Sequence, residues 1–247
     1  MIPLPCSYSP SQFMQNIDFP FDKFNYNSDS ILEGLPESDL DILNRNMVSH
    51  TYKKGEILFR EGSYPTGIYY VTKGKVKKYK TDKEGREQIF YVCRQGEVLG
   101  YHALISEEKY ADTAATIEEC MIAFIPKDDF LKAIQLSQVL SNRLLKVISH
   151  EFGVFVNGLA VFAQRTVRER LALSLILLRD KYKKEQQGNK PVELDLSRDD
   201  LAKYVGTARE TLVRLLHDFK EDGLIETHGR KIILIKALEI SQIANLC

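Results

Sequence analysis

Ser197-Arg-Asp-Asp-Leu-Ala-Lys-Tyr-Val-Gly-Thr-Ala-Arg-Glu-Thr-Leu-Val-Arg-Leu-Leu216 holds two short helical patterns hinged on a glycine. Leu201 and Val205, four residues apart, form the inner face of the first, and Ala202 is small where two helices cross closely. Gly206 falls in the turn, where a left-handed backbone is needed. Leu212, Leu215, Leu216 and Phe219 anchor the second helix from behind. That leaves Ala208, Arg209, Glu210, Val213, Arg214 and His217 on its outer, N-terminal side. The second helix of a helix-turn-helix offers this side to the major groove. There an arginine can bind guanine O6 and N7 bidentately, and a glutamate can accept from cytosine N4. Two plainer readings stay open. Glu210 can serve as a cap carboxylate, and Arg209 and Arg214 can pair with Glu210, Asp218 or solvent.

Three capping boxes mark helix starts near 167, 198 and 208: Thr166 with Glu169, Ser197 with Asp200, and Thr207 with Glu210. Lys181 to Lys190 reads as a charged, solvated linker between the first two. Downstream, residues 223 to 235 form a β-hairpin wing whose turn, His228-Gly-Arg-Lys231, is placed to meet phosphates.

Upstream the texture changes. Residues 1 to 30 are rich in Pro, Ser, Asn and aromatics without periodicity, and read as an extension. Pro36 opens a short helix with acids in its first turn. From His50 to Pro126, short β-rich runs (57–59, 67–71, 75–79, 88–92, 113–117 and 121–125) are divided by glycine-bearing turns, which indicates a sandwich or barrel. Residues 127 to 134 form a short helix. Then Leu140, Leu144, Val147, Ile148, Phe155, Leu159 and Phe162 recur at three- and four-residue steps. They predict a helix of about 25 residues with an apolar stripe. A dimer seam is the economical way to cover such a stripe; an internal core helix is the alternative. Gly153 and Gly158 weaken this helix and leave room for close approach.

Composition bounds the rest. The chain has 247 residues, room for about two domains. Its 34 basic and 34 acidic residues cancel, so a nucleic-acid surface must come from where the charges sit. No run reaches the ~18 continuous apolar residues of a membrane span, and no secretory signal opens the chain; a cytoplasmic location without membrane contact is expected. Cys6, Cys93, Cys120 and Cys247 show no ligand-like spacing, so no metal site or cofactor is expected. No nucleophile–base pair or Walker loop is visible, and no enzymatic activity is expected.

Ala208 to Leu216, followed by Glu221-Asp-Gly-Leu-Ile and Thr227-His-Gly-Arg-Lys-Ile, resembles the C-terminal domain of the CRP/FNR family of bacterial regulators. Glu61-Gly62 to Gly74 and Gly96-Glu-Val-Leu-Gly100 are similar to the family's cyclic-nucleotide-type β-roll. The resemblance covers nearly everything after residue 30. It implies an α+β chain with an extension (1–30), a β-roll sensor (31–135), a dimerisation helix and hinge (136–165) and a winged helix-turn-helix (166–247). It implies a symmetric homodimer reading a palindrome with TGTGA-like half-sites about one helical turn, ~34 Å, apart, and recruiting or blocking RNA polymerase. Arg209, Glu210 and Arg214 match the base-reading set. Ser197, Thr207, Thr211, His217, His228, Arg230 and Lys231 are the expected contacts to the DNA backbone.

The chain departs from the family's cAMP-binding members in the roll. Tyr101 stands where they carry a ribose-binding Glu, and Ala111 where they carry a phosphate-binding Arg. Without a guanidinium fork a desolvated phosphate beside Asp112 loses its main compensation, and Lys109 supplies a point charge only. Phe155 and Val156 stand in place of the hydroxyl pair that meets the base. The expectation is no useful cAMP binding. Tyr101, His102, Ala111, Phe155 and Val156 are the candidates for an effector site, whose ligand is open between an apolar compound, a haem held by His102 or Cys93, and none. A second reading makes the chain a ligand-binding module whose helix-turn-helix contacts protein rather than DNA.

Overall fold

The computed structural model describes residues 19–183 and 191–244. Cys6, Cys247, most of the extension and most of the charged linker lie outside them. The chain divides into two compact units, Asp22–Asn157 and, from Gly158 onward, a second.

In the first unit, β1 (Val48–Tyr52), β8 (Cys120–Pro126), β3 (Gly67–Lys73) and β6 (Val98–Leu99) form one antiparallel sheet in the order β1-β8-β3-β6. β2 (Ile57–Phe59), β7 (Thr113–Thr116), β4 (Val76–Thr81) and β5 (Glu87–Cys93) form the other, in the order β2-β7-β4-β5. The six runs read from the sequence all become strands. β1 and β6 were not foreseen: β1 is mostly exposed and polar, and β6 is two residues long. Turn chemistry sets the meander. Gly85 closes the β4–β5 hairpin at φ 80°, while the Asp82 carboxylate accepts from the backbone N–H groups of Glu84 and Arg86. Gly74 sits at φ 89° against Cys120, where a Cβ would come 2.7 Å from its sulfur. Only glycine fits there.

The helices of this unit are α1 (Glu37–Asn44), α2 (Tyr101–Ile105), α3 (Lys127–Leu136) and α4 (Gln138–Gln164), which runs on into the second unit. The expected stripe on α4 divides between two faces. Leu140, Leu144 and Val147 are buried in this chain's own core with Ile31, Leu43, Ile68, Tyr101, Leu104 and Phe130, and Ile148 packs against it. This corrects the sequence reading: those three are spent inside the protomer and cannot line a seam. Phe155, Leu159 and Phe162 are exposed, as are Leu145 and Phe152, which are 67% and 71% accessible and were missed. Periodicity reports that apolar residues share faces; it does not say which face the neighbouring roll takes.

By length and composition α4 could cross a membrane. Its polar groups are tied into the fold instead. Arg143 donates to the carbonyls of Ser30, Glu33 and Gly34, His150 bonds the Asn25 carbonyl, and Glu151 is buried and hydrogen-bonded.

The second unit holds α5 (Val167–Lys183), β9 (Glu193–Asp195), α6 (Arg198–Val205), α7 (Arg209–Glu221), β10 (Ile225–His228), β11 (Lys231–Leu234) and α8 (Ala237–Ile243). The three strands pair antiparallel in the order β10-β11-β9. Leu171, Leu175, Leu201, Leu212, Phe219, Ile225 and Ile240 are among the buried side chains of this unit.

A helix-turn-helix and a closed roll

Two of the three expected caps form. Thr166 accepts from the Glu169 N–H, and Glu169 Oε2 takes the Thr166 N–H at 2.7 Å. Ser197 Oγ accepts from the Asp200 N–H at 3.0 Å and donates to its carboxylate at 2.7 Å. The third does not: Ala208 is the N-cap of α7 and makes no side-chain cap bond. This corrects the Thr207–Glu210 box. The helix starts one residue later than the box requires, so Thr207 lies outside capping register and Glu210 is released from that role.

Gly206 holds φ 72° and ends α6, as the turn requires. Arg170, which sequence reading passed over, fixes this turn. Its guanidinium donates to the carbonyls of Val205, Gly206 and Arg165, each at 3.0 Å. Leu212, Leu216 and Phe219 are buried beneath α7, and Arg168 lies over the Phe219 ring at 4.7 Å. With its rear face so anchored, α7 presents Arg209, Glu210, Val213, Arg214 and His217 around an open hollow of about 410 Å³.

The charges on that face are largely uncommitted. Arg209 Nη1 lies 3.4 Å from Asp199 Oδ1, with both side chains more than half exposed, so the pair is weak. His217 approaches Glu221 at 3.9 Å. Among the described residues no ion pair or hydrogen bond holds the Glu210 or Arg214 side chains. The alternative pairing of Arg209 and Arg214 with Glu210 or Asp218 is not formed among the described residues, which leaves Arg214 to solvent. Thr211 is half-buried beside them.

The wing is a tight hairpin, His228 opposite Lys231, with Gly229 at φ 59°. Its cations are engaged within the sheet. Arg230 Nη2 reaches Asp195 Oδ2 at 2.8 Å, and Lys231 Nζ reaches Glu193 at 2.5 Å, which holds the lysine above its ordinary pKa. Arg198 donates to the carbonyls of Gly229 and Arg230 and ties the wing tip to the start of α6. Ser197 and the wing tip therefore share one edge of the domain.

In the roll, Tyr101 and His102 open α2, and both turn to α4. The Tyr101 hydroxyl donates to Glu151 Oε1 at 2.7 Å, and His102 Nε2 lies 2.6 Å from Glu151 Oε2. Burial first, then the Glu151 charge, drives the Tyr101 phenol far above its usual pKa. Glu151 is the residue that sequence reading missed, since one carboxylate in an apolar stripe looks like a surface position. Ala111 is exposed, and Phe155 and Val156 stand exposed one turn beyond Glu151. Lys78, buried, meets Asp112 at 3.1 Å and lies over the Phe90 ring at 5.6 Å. Cys93 and Cys120 are buried and in the thiol form, and burial lifts the Cys120 thiol to about 11. Among the described residues no cluster of three metal-ligating side chains occurs.

Comparison with known proteins agrees with this architecture. Residues 49–137 match the cyclic nucleotide-binding domain family, and residues 169–239 match the Crp-like helix-turn-helix domain family. The transcriptional activator protein FnrA of Stutzerimonas stutzeri is 26% identical over 193 residues, 78% of this chain and 79% of that one. The CRP-like cAMP-activated global transcriptional regulator of Mycobacterium tuberculosis is 25% identical over 204 residues, covering 83% of this chain and 91% of that one. Among solved structures, FixK2 from Bradyrhizobium japonicum superposes with a TM-score of 0.69 at 21% identity, covering 80% of this chain and 96% of its own. With a β-roll, a long helix and a winged helix-turn-helix in one register, the chain belongs to the CRP/FNR family of DNA-binding transcription regulators.

Proposed function

We propose that the chain acts as a cytoplasmic homodimer that reads a palindromic site with TGTGA-like half-sites, through Arg209, Glu210 and Arg214, without needing cAMP. The observation that carries this reading is the exposed face of α7. Two cations and a carboxylate stand within one and a half turns on a helix anchored from behind by the buried Leu212, Leu216 and Phe219, and Glu210 and Arg214 have no partner among the described residues. Arginine forks suit guanine edges and the carboxylate suits a cytosine amine. Ser197, Thr207, Thr211, His217, His228, Arg230 and Lys231 would take phosphates, which position the helix without specifying sequence.

The dimer rests on α4. Leu145, Ile148, Phe152, Phe155, Leu159 and Phe162 follow alternating steps of three and four, the a/d spacing of a two-stranded coiled coil, and all but the half-buried Ile148 are exposed. Gly153 and Gly158 meet nothing within 4 Å of an added Cβ and leave space beside that stripe. A two-fold dimer would present two recognition helices, as half-sites about one DNA turn apart require.

The roll does not fit a cyclic nucleotide. Tyr101 is spent on Glu151, Ala111 offers no cation, and the buried Lys78 is neutralised by Asp112. Haem fits no better at His102, whose Nε2 faces Glu151. Regulation then works as a shift between two placements of the DNA-binding units, with RNA polymerase recruited or blocked by the bound dimer.

The experiment is selection from random duplexes at near-physiological salt with no added small molecule, because phosphate contacts alone dominate at low salt. Enrichment of a two-fold symmetric site is expected. A folded protein that enriches nothing, with or without cAMP, would overturn the reading and favour a helix-turn-helix used for protein contact.

A further inference from the structure

The segment ahead of α1 carries no periodicity, yet it is fastened to both the roll and α4. Its two 3-10 turns, Phe21–Lys23 and Ser28–Ile31, flank Tyr26. On the α4 side, Asn157 donates to the Lys23 carbonyl at 2.9 Å and His150 lies 3.0 Å from the Asn25 carbonyl. On the roll side, the Arg94 guanidinium pairs with Asp29 at 2.7 Å, and the Val98 N–H donates to Ser28 Oγ at 3.3 Å. The Tyr91 hydroxyl donates to the Tyr26 carbonyl at 3.3 Å.

Between these fastenings the Tyr26 ring lies against the interior of the roll. It stacks on Tyr91, with centroids 4.1 Å apart and planes at 30°, and packs against the same core as Tyr69, Val71, Cys93 and Ala103. Burial, the largest effect, lifts its phenol to about 12; Lys78 works the other way, and Glu151, Cys93 and Asp112 raise it further. Of these groups, Lys78 and Asp112 pair with each other at 3.1 Å, and Glu151 accepts from the Tyr101 hydroxyl at 2.7 Å. A stacked ring with a hydroxyl near a buried cation and two carboxylates has the character of a bound ligand. The residue making these contacts belongs to the chain.

We propose that Tyr26 is a ligand the protein supplies to itself, seated in the effector site of the roll, and that a free phenol can take its place. This deepens the regulator reading and rests on it. The strap holds Tyr26 through bonds to the roll and to α4 alike, so its seating joins the sensor to the helix that carries the proposed dimer stripe. A flat aromatic alcohol reproduces the Tyr91 stack and the hydroxyl, but brings neither the His150 nor the Asn157 bond to α4. Exchange therefore releases the strap from the helix and is read as a signal.

The test uses p-cresol, the tyrosine side chain as a free molecule, with the full-length protein, Tyr26→Ala and Tyr26→Phe. Saturation-transfer NMR follows the probe, and fluorescence anisotropy follows the selected duplex. Tyr26→Ala is expected to bind p-cresol at least tenfold tighter than either the unmodified protein or Tyr26→Phe. Its affinity for the duplex is expected to change by tenfold or more, in either direction, with no restoration on adding p-cresol, because the main-chain strap is no longer held in place by its ring. Equal probe binding by all three proteins would overturn the proposal, as would a duplex affinity within twofold of the unmodified protein. If Tyr26→Ala fails to fold, Tyr26→Leu, which keeps bulk without the stack, is read by the same criteria. Should the unmodified protein bind no duplex, the regulator reading fails, while the probe titration still decides whether Tyr26 fills the site.

Discussion

Removing the carboxylate of Asp199 should tighten DNA binding. Of the two arginines proposed to read bases, Arg209 alone has a partner among the described residues, Asp199 at 3.4 Å, and their side chains are 60% and 57% exposed. Exposed pairs of this kind are worth about 0.2–1 kcal/mol. If Arg209 must leave Asp199 to reach a guanine, that energy is a cost of binding, and Asp199→Asn returns it as a gain of about 1.4- to 5-fold in affinity for each half-site. The loss of a negative charge near phosphates adds to this, and must be separated. In an Arg209→Ala background the pair is already absent, so Asp199→Asn there reports only the charge effect. The difference between the two backgrounds isolates the pair. Anisotropy titrations of the selected duplex near 0.15 M salt measure all four proteins. Threefold or greater weakening by Asp199→Asn in the unmodified background would refute the reasoning, and would mean that Asp199 holds Arg209 in its reading position.

Other substitutions probe the remaining claims. Arg214→Ala should weaken the specific site by about 1–3 kcal/mol, roughly 5- to 150-fold, and leave binding to unrelated duplex much less affected. Leu140→Ala, at a fully buried position, should cost about 2–5 kcal/mol in urea unfolding; Phe152→Ala should cost little there but raise the dimer dissociation constant measured by sedimentation. Ser197→Ala should cost about 0.5–2 kcal/mol, whereas Thr207→Ala should fall below about 0.5 kcal/mol because its cap is not formed. Alkaline pH should destabilise the fold. Tyr26 and Tyr69 are raised from 10.0 to about 12 and Cys120 from 9.0 to about 11, so the unfolded chain loses these protons first. Stability is then intact below about pH 9 and declines between about pH 9 and 12. Urea midpoints at pH 8, 10 and 11 read this, and Tyr26→Phe should flatten the decline.

How much of this was legible beforehand depends on whether a feature is local. The roll strands and the helix-turn-helix were readable because glycine turns and apolar spacing act over a few residues: Gly206 adopts the left-handed backbone its position calls for. The wing followed from the same kind of signal. What escaped was decided by distant partners. Leu140 and Leu145 look alike in the stripe, but only the first faces the core built from Ile31, Leu43 and Phe130. Glu151 gains its meaning from Tyr101 and His102, fifty and forty-nine residues away. Tyr26 sits in a stretch with no repeat at all, so nothing in its neighbourhood announces that Tyr91 will stack on it. The cap at Thr207 failed for a local reason that spacing cannot resolve, a helix beginning one residue late.

Arg170 has a mechanical consequence. One guanidinium holds the carbonyl of Arg165, at the exit of the long helix, together with those of Val205 and Gly206, at the bend before the recognition helix. In the proposed shift between two placements, a rotation entering at Arg165 would pass to that bend through this one side chain, and the joint would lie on the N-terminal side of Arg165. Shortening Arg170 would put a second, loose joint in the drive train: the reading head would still turn, but no longer in step with its shaft.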